Sequence, residues 1–138
     1  MKKSVESSFT GGMSWSTEID GHEYIMDAND EFGGSGKGAS PKPFLLMSLA
    51  GCTGMDVVSL LKKMRVEFED LKISVDANLT DEHPKIYDTM HITYKFWGVD
   101  ESNHSKVLKA VNLSKERYCG VSAMLEKASK LTFEVVYN

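Results

Sequence analysis

The chain has 138 residues, the length of a single domain, expected to run over residues 1–138. Hydrophobic residues make up 41% and charged residues 26%, the balance of a water-soluble globular protein. The formal net charge of −4 argues against a nucleic-acid partner, which needs a basic face to neutralise phosphates.

Met1, Lys2 and Lys3 are a basic start, but Ser4 to Ser8 is not an apolar run. No secretory leader is therefore expected, and a cytoplasmic location fits best. The first thirty residues alternate as strands do. Val5, Ser7 and Phe9 precede a Gly11-Gly12 turn, and Met13, Trp15 and Thr17 precede Asp20-Gly21. Asp-Gly is a strong signal for a type I′ hairpin. Tyr24, Met26 and Ala28 continue the alternation, so two or three antiparallel strands are expected. Glu31 to Ser40 is rich in glycine and reads as a mobile connection. It lacks the Gly-Lys-Ser/Thr that would cradle a phosphate.

The longest apolar run follows, and a helix is expected from about Pro41 to about Arg65, capped by Ser40. Positions four and seven apart share a helical face, so Ser48, Cys52, Asp56, Ser59 and Lys63 form one small, polar stripe. The rest of the surface is apolar, and the polar interruptions argue against a membrane span. A helix apolar around so much of its circumference must be covered on most sides. One sheet covers one side only, which points to a second copy of the chain. Ala50, Gly51 and Gly54 fit that reading, because glycine inside a helix costs about 1 kcal/mol relative to alanine and a close backbone approach explains it. A helix locally broken at Gly51 to Gly54 is the alternative.

Leu71, Ile73, Val75, Ala77 and Leu79 alternate as a strand. Ile86 to Trp97 is its partner, with Ile92, Tyr94 and Phe96 on one face. Ser105 to Glu116 and Ser122 to Lys130 have helical patterns, and Leu131 to Tyr137 closes as a strand. The order βββ–α–ββ–α–α–β defines an α+β domain. Trp15, Trp97, Tyr94 and Phe96 read as packing residues. The four histidines are scattered and no His-x-x-x-His or Cys-x-x-Cys pairing occurs, so no metal site is expected.

Two cysteines do not make a disulfide framework. Cys52 lies in mid-helix, far from the helix dipole's favourable end, and Asp56 leans toward it. Both features disfavour a thiolate. Activation has to come from elsewhere, with Lys42, Arg117 and Arg65 as the available cations. Cys119 lies near a helix start, two residues from Arg117. If the two thiols meet, one oxidised to a sulfenic acid would condense with the other.

Ser40-Pro41-Lys42-Pro43 together with Leu49-Ala50-Gly51-Cys52-Thr53-Gly54-Met55-Asp56 and the helix they open resemble the central helix of the OsmC-like superfamily, which includes the organic hydroperoxide resistance proteins. Tyr118-Cys119-Gly120-Val121 is similar to that family's second cysteine motif. The resemblance implies the OsmC-like fold, with antiparallel sheets packed on a long central helix, as an intertwined homodimer. It implies reduction of organic hydroperoxides, with Cys52 as nucleophile and Cys119 as resolving thiol. The expected partners are a hydroperoxide substrate and a dithiol reductant such as a protein-bound lipoyl group, and the resemblance implies no metal or other cofactor. Active hydroperoxide reductases carry an arginine after the first glycine turn, where this chain has Met13. They carry a glutamate ten residues before the nucleophile, where this chain has Lys42. A non-catalytic dimer that binds an apolar small molecule is the alternative.

Overall fold

The computed structural model describes residues 1–138, which divide into two compact units, Met1–Leu45 and Leu46–Asn138. The first holds an antiparallel sheet of β1 (Ser7–Phe9), β2 (Trp15–Ile19) and β3 (His22–Met26). Asp20 and Gly21 join β2 to β3 with φ of 52° and 81°, as a type I′ turn requires. Register follows, with Trp15 opposite Met26 and Ile19 opposite His22.

The second unit contains α1 (Pro43–Lys63) from Leu46 onward, β4 (Asp70–Leu79), β5 (Tyr87–Trp97), α2 (His104–Leu113), α3 (Gly120–Leu125) and β6 (Lys130–Tyr137). Helix α1 starts two residues later than the apolar run suggests. Pro43 disfavours helical backbone at the residue before it and is itself suited to the first helical position. Gly51 and Gly54 do not break the helix. It ends where Arg65 turns left-handed, φ 58°, and Val66 N–H donates to the Leu61 carbonyl at 2.9 Å.

β4 and β5 pair antiparallel, whereas β6 joins β5 in parallel, Thr89 opposite Lys130. A parallel neighbour needs a long crossover, and α2 and α3 supply it. Met90, Ile92, Tyr94 and Phe96 alternate along β5 and are all buried. They share one core with Leu49, Val57 and Leu61 of α1 and with Val107, Ala110 and Val111 of α2. Leu108 stays exposed because the buried stripe of α2 falls at Val107 and three and four residues on. Of the two tryptophans, Trp15 is exposed against Phe9, and Trp97 sits under the ammonium groups of Lys72 and Lys95.

Between α2 and α3 the helical winding widens to a π-turn, Ser114–Tyr118. Such turns insert a residue and redirect the chain. Here Ser114 is fully buried, and Cys119 becomes the N-cap of α3. That cap starts α3 at Gly120, earlier than the expected Ser122.

Candidate functional site

Cys52 and Asp56 lie one turn apart on α1, and the π-turn delivers Cys119 to them. The Sγ atoms of Cys52 and Cys119 and a carboxylate oxygen of Asp56 all lie within 4.8 Å of one another. Cys119 is buried, while Cys52 and Asp56 are half-buried, so the site has one open side. Both cysteines are free thiols. Cys119 Sγ accepts the Ser122 N–H at 3.3 Å, and the Val121 N–H is directed at Cys52.

Beneath the thiols runs a chain of hydroxyls. Thr53 Oγ1 bonds Tyr94 OH at 2.6 Å and Ser114 Oγ at 2.8 Å, and Ser114 Oγ donates to Asp56 Oδ2 at 3.0 Å. Asp56 therefore has the hydroxyl partner that a half-buried carboxylate needs. The sequence singles out neither Thr53 nor Ser114. The signal available for Thr53 was its place in the stripe Leu49, Thr53, Val57, Leu61, where a hydroxyl among apolar residues four apart must find a partner.

Burial pushes the Cys52 thiol up, and contact with Cys119 and the negative charge of Asp56 push it the same way. The Val121 N–H alone opposes them. The local reading of Asp56 thus agrees with the electrostatics. The neighbours that shift Cys52 are Cys119, Asp56 and the Val121 N–H. Arg117 instead stacks over the Tyr118 ring, 5.8 Å from its centre. Lys42 lies in the first unit, where its carbonyl accepts the Leu45 N–H. Burial likewise pushes the Tyr94 hydroxyl up, which keeps it neutral and able to donate.

A long helix that holds one thiol against a second, over a mixed three-stranded sheet, defines an α+β protein with a two-cysteine site. The sequence profile of the OsmC-like protein family matches residues 34–134. Protein YhfA of Escherichia coli K12 is 36% identical over 118 residues, covering 84% of each chain. A hypothetical protein from Aquifex aeolicus VF5 superposes with a TM-score of 0.83 at 33% identity, over 100% of this chain and 98% of that one. An organic hydroperoxide resistance protein from Legionella pneumophila shares the fold, with a TM-score of 0.67 at 16% identity over 97% of each chain. The chain belongs to the OsmC-like family.

Proposed function

We propose that the chain is a thiol-dependent peroxidase that reduces organic hydroperoxides, working as a homodimer in the cytoplasm. The observation that carries this reading is the approach of two free thiols in one half-open site. The fold shared with the Legionella hydroperoxide resistance protein supports the same class.

In this reading the Cys52 thiolate attacks one peroxide oxygen, the O–O bond breaks, and the alcohol leaves after taking up a proton. The resulting sulfenic acid on Cys52 is attacked by the Cys119 sulfur. An S–S bond forms and water departs. A dithiol, such as a protein-bound lipoyl group, then reduces the disulfide by exchange and is itself oxidised. Reduced protein with a dithiol is expected to consume cumene or tert-butyl hydroperoxide steadily, and Cys52→Ser is expected to abolish this. Unchanged consumption by that variant sinks the reading.

A second reading is a non-catalytic dimer that holds an apolar small molecule. The upward push on the Cys52 thiol from burial, Cys119 and Asp56 favours this reading. Steady Cys52-dependent turnover defeats it.

A further inference from the structure

We propose that the reduced chain carries a site for one tetrahedral thiophilic cation, Zn(II) or Cd(II), held by Cys52 Sγ, Cys119 Sγ and an Asp56 carboxylate oxygen.

Three ligand atoms of the right chemistry converge from two separate parts of the chain, all within 4.8 Å of one another. A tetrahedral zinc ion with sulfur at about 2.3 Å and oxygen at about 2.0–2.2 Å sets its ligand atoms roughly 3.5–3.8 Å apart. Side-chain rotations that shorten these separations by up to about 1.3 Å close the remaining gap. Two sulfurs select a soft ion over calcium or magnesium, which prefer all-oxygen sites.

The surroundings fit an ion as well as the ligands do. The Ser114 hydroxyl holds Asp56 Oδ2 at 3.0 Å and leaves the other carboxylate oxygen for an ion. Backbone N–H groups of Val121 and Ser122 are directed at the two sulfurs, which stabilises the negative charge that ligation places there. Cys52 and Asp56 are half-buried, which leaves an entry path and room for a water as fourth ligand.

Binding releases the two thiol protons, and the same sulfurs cannot then join as a disulfide. Ion-bound and disulfide states exclude each other. The inference rests on the cluster's geometry alone and holds whether or not the chain turns over hydroperoxides.

The test uses the full chain, reduced and freed of metal by a chelator. One equivalent of Zn(II) per chain is expected to be drawn from a chromophoric indicator, and Cd(II) is expected to raise thiolate-to-metal absorption in the ultraviolet. Loss of an orienting partner alone weakens a metal site about 10–100-fold. Cys52→Ser and Cys119→Ser, each removing a ligand, are therefore expected to weaken binding by about 100-fold or more, and Asp56→Asn by about tenfold. A parallel measurement needs no variant: Zn(II) is expected to protect the half-buried Cys52 thiol of the wild-type chain from iodoacetamide. Absence of protection, or zinc binding undiminished in both serine variants, overturns the site.

Discussion

Asp27 shows how one side chain gives shape to a segment that composition marks as loose. Its carboxylate accepts N–H groups from Ala28 at 2.7 Å, Lys37 at 3.0 Å and Ser35 at 3.4 Å. The Gly36 N–H also bonds the Ala28 carbonyl, and the Asp27 N–H bonds the Ala39 carbonyl. The glycine-rich segment is thus folded back along β3 rather than merely connecting it. A Cβ on Gly34 would overlap the Ala28 carbonyl, and one on Gly38 the Ile25 carbonyl, so close approach explains both glycines. The N–H groups of Lys37 and Ala28, ahead of all other causes, hold the Asp27 carboxyl below its ordinary value of about 3.9. A depressed carboxyl stabilises the fold above its unfolded pKa, and that contribution is lost as pH falls through the folded value. Asp27→Asn is therefore expected to be less stable than the wild type at pH 7 in urea unfolding. The difference is expected to shrink as pH falls below the ordinary carboxylate range. A difference independent of pH would show that the carboxylate charge plays no part.

At the scale of elements, Thr53 is the bolt between α1, β5 and the π-turn. The residue is 1% exposed, and its hydroxyl meets Tyr94 OH and Ser114 Oγ. Thr53→Val keeps the shape of the side chain and removes the oxygen, which leaves the buried Tyr94 hydroxyl without its partner, while Ser114 keeps its bond to Asp56. A buried group left unsatisfied costs about 1–3 kcal/mol. Thermal unfolding is expected several degrees lower, and adding Tyr94→Phe is expected to cost less in this background than in the wild type. Additive losses would mean that the two hydroxyls do not act as a unit. Most of the elements were legible in the sequence because their signals are local: the Asp20-Gly21 turn, the alternation in β5, the apolar run of α1. The π-turn was not, since Ser114 to Tyr118 continues a helical pattern and only packing decides that it widens. The meeting of Cys52 with Cys119 depends on that turn. The residues supplied both thiols and the restraining effect of Asp56, while the hydroxyl chain beneath them came only from the tertiary structure.

At the scale of the whole molecule, the exposed side of α1 asks for a partner. By length and apolar composition α1 matches a bilayer-spanning helix, yet only 22% of its most apolar stretch is buried. Met47, Met55 and Val58 are 54%, 76% and 43% exposed. Ala50, Gly51 and Gly54 line a groove of about 540 Å³ with Phe68, Leu71 and Ile73. A Cβ on Gly51 would meet nothing within 4 Å, so no neighbour inside the chain explains a glycine that weakens the helix by about 1 kcal/mol. In the proposed homodimer a second copy would supply the close approach that explains it. Lipid is a poor candidate. The opposite stripe of α1 is locked in the core with β5 and α2, and Asp56 on its flank is an ionisable side chain, expensive within a membrane. A second copy of the chain offers a matching apolar face and small residues at which two helices can cross. Sedimentation is expected to give about twice the 15.4 kDa chain mass. If the proposed dimer forms across this face, Val58→Glu would bury a carboxylate without a partner, at a cost above the about 2–7 kcal/mol of an unpaired neutral polar group. The dimer dissociation constant is then expected to rise by at least about 100-fold, with the fold of the single chain retained by circular dichroism, since Val58 lies outside the core. A wild-type chain that sediments as a monomer at every concentration would remove the partner from this account.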